Sequence, residues 1–526
     1  MTNSVNELAD ADTILVIGSN TTTAHPLVAT RLYQAKAKGA RIIVADPRRI
    51  QLARLADLYV GQRLGSDVAL LNGIMHVILE RGWHNQEFID QRTEGFQEFQ
   101  AVIQDYPPDK AARISGVSVE DIETIAEWYA KAERGSIVYC MGITQHVSGV
   151  DNVKSLANLA MLCGHLGRES TGVNPLRGQN NVQGACDMGG LPDVYPGYQK
   201  VDQPAVMEKF EKAWGTKLPF QPGLKIPDII QGLLSGQVKA VYILGENPMM
   251  SDPDTGHVRK ALAQAELVVL QDIFPNETME FAHVVLPGTS FAEKEGTFTN
   301  TERRVQLLRQ ALEPVGQSRP DWQIIQDLSN RFGLEMNFAS PREIMEEIAQ
   351  VTPQYGGISY DRLDGEGLCW PCPDREHPGT KFLHKDQFAR GKGLFHAIAY
   401  RPPAEEVDED YPFWLTTGRA HVHYHTGTMT RNSPSLHAQM PEGFVEIHPE
   451  DARAKGVGDG EEVRIASRRG EITAKVMITE RVQKGMVFLP FHFIESSANV
   501  LTNPALDPLC KIPEFKVCAV KVEKAA

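Results

Sequence analysis

The chain has 526 residues, 42% apolar and 23% charged, with a net charge of −14; it is too long for one hydrophobic core and reads as roughly three or four globular domains. The acidic balance excludes a nucleic-acid groove, which needs a basic surface, and no apolar run approaches the roughly 18 residues of a membrane span. Polar, acidic residues from Met1 to Asp12 argue against a secretory leader, and seven scattered cysteines fit a reduced compartment, so the cytoplasm is the expected location.

Thr13-Ile-Leu-Val-Ile17 is a buried strand by its unbroken apolar run. Gly18-Ser-Asn20 follows, then a helix predicted over 26–38 and a second strand, Arg41-Ile-Ile-Val-Ala-Asp46. Strand, glycine turn, helix, strand is the βαβ unit of a parallel sheet, whose ligands sit at the carboxyl ends of the strands. The pattern is not GxGxxG, since only Gly18 fits, so the motif alone does not name a nicotinamide site. Asp46 either accepts hydrogen bonds from a ribose or base or simply turns the chain into Pro47. Gln62-Arg-Leu-Gly65-Ser-Asp67 leads into an apolar helix over 68–79, with Ser66 or Asp67 as the expected N-cap. The free NH groups at that helix start also suit a phosphate. Ser118 is the expected cap of a helix running to about Glu133. Ser136–Gly142 reads as another buried strand, with Gln145 at its carboxyl end, and a helix is predicted over 152–164, with Cys163 a small core residue.

The segment 174–189, Asn-Pro-Leu-Arg-Gly-Gln-Asn-Asn-Val-Gln-Gly-Ala-Cys-Asp-Met-Gly, carries one guanidinium, five carboxamides and three glycines. It has no greasy face, so it is predicted as a loop and as neither a core helix nor an alternating strand. Arg177 offers a rigid five-donor fork for a carboxylate or phosphate. A polar surface loop is the usual reading of such a stretch; the density of amides beside one arginine favours a loop that lines a ligand. Residues 199–227 read as irregular surface decoration.

Lys239-Ala-Val-Tyr-Ile-Leu-Gly-Glu-Asn-Pro248, a helix around 257–265 and Leu267-Val-Val-Leu-Gln-Asp272 repeat the opening unit. Gly18 precedes Asp46 by 28 residues, and Gly245 precedes Asp272 by 27. Two copies mean either duplicated scaffolding or two nucleotide moieties held at once, and glycine with asparagine at both strand ends favours ligands. A strand is expected at 283–287 and helices over 321–332 and 341–350. Glu302-Arg-Arg304 reads as a solvated, salt-bridged loop rather than a phosphate clamp. Cys369-Trp-Pro-Cys372 is a lone CxxC with no second pair nearby, hence structural, reduced thiols. Residues 373–410 read as a crossing into a new domain. Beyond Tyr411, short strands follow, including a hairpin from 461–470 into 471–478 and a strand at 486–490, which make a small β-barrel-like domain. Arg419, His421, His423 and His425 alternate; on a strand they share one face, a geometry open to metal, although the run lacks an acidic or cysteine partner.

The run 174–189, with Pro192-Asp-Val-Tyr-Pro-Gly-Tyr198 behind it, resembles the molybdopterin-dependent formate dehydrogenases, specifically their catalytic alpha subunits within the molybdenum and tungsten bis-pterin oxidoreductases. The likeness extends over essentially the whole chain. It implies an α/β fold with two parallel-sheet nucleotide-binding domains and a C-terminal β-barrel. The boundaries are 1–178 with one half-site, 179–380 (incomplete) with the other, and 408–526 as a cofactor-capping barrel. Each half-site would hold one guanine nucleotide of a molybdenum (or tungsten) bis(molybdopterin guanine dinucleotide). By the resemblance Arg177 is catalytic and orients formate. The cofactor contacts it implies are Gly18, Asn20, Asp46, Gly65, Asp67, Gly142 and Gln145; then Gln179, Gly245, Glu246, Asn247, Ser251, Gln271 and Asp272; then Arg419, His423, His425, Asn499 and Lys516.

The family also carries an upstream cysteine motif for a 4Fe-4S cluster and a selenocysteine or cysteine that ligates the metal. No CxxCxxxC motif and no Cys-His dipeptide occurs here, so no metal ligand is expected in this chain. Met1 is read as an internal methionine of a longer subunit whose selenocysteine codon was taken for a stop; the rival is a naturally split subunit completed by a second polypeptide. The complete subunit is expected to oxidise formate to CO2 in anaerobic metabolism. Its electrons would pass to iron–sulfur, NAD-linked, ferredoxin or hydrogenase partners, and the chain alone is expected to be inactive. The alternatives are a nitrate-reductase-like bis-pterin enzyme and a non-catalytic scaffold such as the large iron–sulfur subunit of respiratory complex I.

Overall fold

Thr13–Ile17 is buried at every position, as a parallel strand covered on both faces must be. In the computed structural model, which describes residues 1–525, it is the middle strand of five. The order is Leu58–Val60, Arg41–Ala45, Thr13–Ile17, Gly135–Tyr139, Gly172–Pro175, all parallel. Alternate residues feed opposite cores. Leu15, Ile17 and Ile43 pack with the helices Asp67–Glu80 and Gly149–Leu162, while Ile14, Val16, Ile42 and Val44 pack with Val28, Leu32 and Ala35 of the helix Pro26–Ala37.

This sheet belongs to a compact unit formed by Met1–Leu176, Met250–Gly256 and the chain from Phe382 onward. Its last part is a closed six-stranded barrel, in the order Phe413–Gly418, Met486–Pro490, Phe444–Ile447, Glu471–Ile478, Glu462–Ala466, Cys518–Lys524. The hairpin expected at Gly470 is present and antiparallel. Within this unit the sheet and barrel meet at a charged seam. Glu446, wholly buried, receives Arg48 Nε and Nη2, each at 2.6 Å, and also Arg481 Nη2. Arg48 lies over the Phe488 ring at 3.9 Å, and Gln483 Nε2 donates to the carbonyls of Pro47 and Gly61 at 2.8 and 3.1 Å.

A second unit comprises Arg177–Met249 and His257–Lys381. One of its sheets has three parallel strands in the order Val284–Pro287, Leu267–Asp272, Ala240–Leu244. One face packs Ile243, Val268 and Leu270 against Ile230, Leu233, Val258 and Leu262 of the helices Ile226–Ser235 and Thr255–Gln264. The register puts Tyr242, Leu244, Leu267 and Val284 on the other face, where they are 37%, 44%, 40% and 43% exposed.

Several local expectations are corrected. Ser66 occupies the N-cap position but makes no capping bond, because its hydroxyl donates back to the Arg63 carbonyl at 2.7 Å; Ser118 does cap, accepting from Asp121 N at 3.1 Å. The strand expected at 136–142 ends at Tyr139, and a short helix, Met141–Thr144, turns the chain so that Gly142 N reaches Gly18 O at 3.0 Å. Segment 174–189 is not all loop. It ends the strand Gly172–Pro175 and contains the helix Val182–Asp187, whose buried side is the polar pair Gln183 and Asp187. Residues 199–227 contain the helix Pro204–Trp214, because Phe210 is wholly buried and stacks on Tyr195 at 4.6 Å. Arg303 is not solvated: it is buried at φ +71° and donates to the carbonyls of Trp370, Thr380 and Lys381. The alternating histidines are not on a strand, since the strand stops at Gly418 and His425 sits at φ +49°. Cys369 and Cys372 are buried free thiols.

Candidate functional site

The carboxyl ends of three neighbouring strands open into one pocket. Gly18 and Asn20 follow Thr13–Ile17, Asp46 and Arg48 follow Arg41–Ala45, and Gly142 and His146 follow Gly135–Tyr139; Gly65 and Asp67 add a wall, and Thr416, Thr417, Arg419, Phe488 and Lys516 come from the barrel region. Glycine is required at the floor. Gly18 has φ +56°, and a Cβ there would stand 2.7 Å from the Gly142 carbonyl carbon, so the two turns touch only because neither carries a side chain.

The electrostatics suit an anion. Lys516 is buried, and burial pushes its pKa down to about 8, opposed by Cys140 and Asp46; its ammonium donates to Thr417 O at 2.8 Å. Burial lowers the Arg419 pKa, and Arg419 Nε is buried with no hydrogen-bond partner. Burial lifts the Asp46 pKa to about 6 against the NH and charge of Arg48, and raises that of Asp67. His146 donates from Nε2 to Gly142 O at 2.8 Å, leaving a buried Nδ1 without a partner. A donor set of one arginine and one lysine beside carboxylates that gain by meeting N–H or O–H groups matches a nucleotide, with phosphates on the cations and base or ribose donors on the acids.

Eight expected cofactor residues therefore line one cavity: Gly18, Asn20, Asp46, Gly65, Asp67, Gly142, Arg419 and Lys516. Others of the same unit lie elsewhere or serve otherwise. Gln145 is half-buried and its carbonyl accepts Lys516 N at 3.4 Å. His423 donates from Nε2 to Met440 O at 2.7 Å and faces Thr430 with Nδ1. His425 is half-buried; Asn499 is buried and donates to Met250 O at 2.8 Å; Ser251 donates to Asp252 at 3.2 Å. Arg48, His146, Thr416, Thr417 and Phe488 were not expected. Only Arg48, two residues past Asp46, had a sequence signal.

The second unit carries the repeat. Gly245, at φ +63°, donates to Gln271 O at 2.8 Å, as Gly18 donates to Ala45 O at 3.0 Å. Asn247 donates to Glu277 at 2.6 Å and accepts from Thr278 at 2.8 Å, while Gln271 accepts from Tyr242 and donates to Asp321 at 2.6 Å. Their side chains are thus engaged in bracing the turn. Glu246 is exposed. Asp272 is half-buried, its pKa raised by burial, and accepts from Asn276 at 2.7 Å. In the same unit Arg177 and Gln179 are half-buried, and Arg177 N donates to Thr301 Oγ1 at 3.1 Å.

Residues 1–331 match the family model described as molybdopterin oxidoreductase. The chain belongs to the molybdopterin oxidoreductase family. Residues 413–519 match the "Molydopterin dinucleotide binding domain", so the barrel that supplies Arg419 and Lys516 is the family's dinucleotide-binding module. This molybdopterin oxidoreductase is 53% identical, over its whole length and 78% of the relative's, to the F420-dependent formate dehydrogenase subunit alpha of Methanocaldococcus jannaschii. It is 41% identical to formate dehydrogenase H of Escherichia coli, over the whole chain and 74% of that protein. Acetylene hydratase from Pelobacter acetylenicus shares the fold, with a TM-score of 0.76 at 21% identity over 99% of this chain and 79% of that one. The α/β class with a closed barrel agrees with what the resemblance implied. Among the described residues no helix is long and apolar enough to cross a membrane, and no group of three His, Cys, Asp or Glu side chains is placed to hold a metal.

Two buried imidazoles, His492 beside the Arg419 turn and His165 packed at the amino end of the strand Gly135–Tyr139, give the molybdopterin oxidoreductase an acid liability. Burial pushes the His492 pKa down to about 3 and that of His165 to about 4. Both are neutral: His492 accepts from Ala420 N at 2.8 Å and donates to His425 O, and His165 donates to Tyr129 O at 2.9 Å. Unfolded, each titrates near 6.5. Their contribution to stability is therefore complete above pH 6.5 and is lost as pH falls, because only the unfolded chain takes up the proton. Asp46, with its raised pKa, acts in the opposite sense. Comparing His492→Gln with the parent isolates one imidazole. The difference in unfolding free energy between them should shrink by up to about 1.4 kcal/mol per pH unit from pH 6.5 to 4, measured by urea titration; a pH-independent difference would remove the assignment.

Proposed function

We propose that this chain is part of the catalytic alpha subunit of a formate dehydrogenase, cytoplasmic, oxidising formate to CO2 with release of two electrons and a proton. The observation that carries this reading is the 53% identity along the whole chain to a formate dehydrogenase subunit alpha. The group it would work with is a molybdenum or tungsten bis(molybdopterin guanine dinucleotide), which when bound accepts the electron pair, chemistry that side chains do not perform. The protein's part is placement. Arg419 and Lys516 would take nucleotide phosphates, with Asp46 and Asp67 receiving base or ribose donors, and the turn at Gly245 to Asn247 with Asp272 would hold the other guanine nucleotide. Gln179 would steady a pterin edge. Arg177 would pair with both formate oxygens through its planar fork, keeping the C–H directed and water out of the way. The metal-ligating residue, the iron–sulfur cluster and the electron-transfer partners are proposed to lie on sequence outside this chain.

The test is made on the holoprotein purified with its partners. Formate should reduce a viologen dye with stoichiometric CO2, and hydrolysis should release two GMP for each molybdenum or tungsten. Nitrate reduction without formate oxidation would replace the reading with the oxyanion alternative. Absence of both metal and GMP would replace it with the scaffold alternative.

A further inference from the structure

We propose that Asp187 is a positioning residue for Arg177, acting through Tyr198 on one side and the strand Gly296–Thr299 on the other; this role rests on the formate reading of Arg177. Asp187 is 0% exposed, yet its carboxylate accepts four hydrogen bonds, all from neutral donors. Oδ1 receives Gln183 Nε2 and the Tyr198 hydroxyl, both at 2.8 Å; Oδ2 receives the Tyr355 hydroxyl at 2.6 Å and Trp370 Nε1 at 2.7 Å. Neutral donors solvate a charge without cancelling it, so in a poorly polarisable interior the negative charge is felt by its neighbours. Burying a carboxylate is costly before its hydrogen bonds are counted, and an apolar residue at the end of the helix Val182–Asp187 would fill the same space at no such cost. The charge has a use beyond packing.

Two paths lead from it to Arg177. The Tyr198 hydroxyl donates a hydrogen bond to Asp187 and accepts one from Gln183 Nε2 at 2.9 Å. Tyr198 holds φ +58°, a left-handed backbone that is unfavourable for a tyrosine, so its hydroxyl bonds fix a conformation the residue would otherwise avoid. The same hydroxyl feels the Asp187 charge and, in the opposite sense, that of Arg177, which puts it in the field of both. On the other side, the Tyr355 hydroxyl meets Thr299 Oγ1 at 3.1 Å, Thr299 N donates to Asn181 Oδ1 at 2.8 Å, and Thr301 Oγ1 accepts Arg177 N at 3.1 Å. The loop bearing Arg177 and the shell around Asp187 are thus pinned to one short stretch of chain.

In Asp187→Asn one oxygen becomes an NH2 that faces two donors, which breaks half the shell. Expected in the holoprotein is a rise of about tenfold in formate KM, within the range a network residue exerts on a site it does not touch. The kcat should stay within about threefold and the GMP content should be unchanged. Tyr198→Phe should move KM in the same direction by less, and decides the matter if Asp187→Asn does not accumulate. Combining Asp187→Asn with Arg177→Lys should be no worse than Arg177→Lys alone, because both act on one guanidinium. Amide exchange at residues 178–181, measured without turnover, should quicken in both single variants while the barrel strands are unchanged. Wild-type kinetics in Asp187→Asn and Tyr198→Phe, a fall in kcat and GMP content at constant KM, or an additive double variant would each overturn the positioning role alone. Wild-type formate kinetics in Arg177→Lys would overturn the reading beneath it as well.

Discussion

Arg177→Lys should lower kcat/KM for formate by about a hundredfold or more while leaving the cofactor bound. A guanidinium offers parallel N–H groups in one plane, matched to the two oxygens of a carboxylate, whereas an ammonium is a rotating point charge that holds one oxygen and leaves the other free. A reacting group misplaced by about 1 Å costs about a hundredfold when chemistry depends on alignment. The change should fall on both KM and kcat, because lysine keeps the attraction and loses the aim. Arg177 N is held by Thr301 Oγ1 at 3.1 Å, a backbone contact the substitution leaves alone, so loop order and GMP content should be those of the parent. Steady-state kinetics together with GMP released per chain measure both halves. Unchanged formate kinetics would refute the assignment.

Glu446→Gln should cost about 3 kcal/mol or more of stability. Glu446 has no exposed side-chain surface and joins Arg48, of which 11% is exposed, to Arg481. Removing one partner of a buried ion pair typically costs about 3–5 kcal/mol, because the charge left behind is buried without compensation. A carboxamide here also turns an NH2 toward a guanidinium. Arg48 lines the pocket proposed to hold a nucleotide and stacks on Phe488, so its release should loosen the pocket and show as lost GMP along with an earlier unfolding midpoint. The exposed pair Lys484–Glu450, at 2.8 Å, is the control: Glu450→Gln should leave the midpoint where it is. A parent-like midpoint in Glu446→Gln would mean that the seam is held by packing alone.

How much of this was readable in advance depended on how local the cause was. Thr13–Ile17 and Arg41–Ala45 were legible because a strand buried on both faces needs an unbroken apolar run. The repeat was legible because a glycine turn with positive φ recurs at matched spacing, and the barrel hairpin because Gly470 sits between two alternating runs. The helix Val182–Asp187 was not legible: its buried side is polar, and the groups that satisfy it, Tyr355 and Trp370, lie 168 and 183 positions from Asp187. Glu446 and Arg48 are 398 positions apart, beyond any pattern. The histidine run misled for the opposite reason, since alternation speaks of a strand only where the backbone is extended, and here it had already turned.

The face of the second unit that carries Tyr242, Leu244, Leu267 and Val284, beside an edge strand at Ala240–Leu244, has a practical corollary for handling the polypeptide. Oily side chains next to unpaired strand amides adhere to one another between molecules, and strongly excluded salts such as sulfate tighten that adhesion. Self-association through this patch is therefore expected to rise under salting-out conditions and to fall in dilute buffer or with a mild non-ionic detergent.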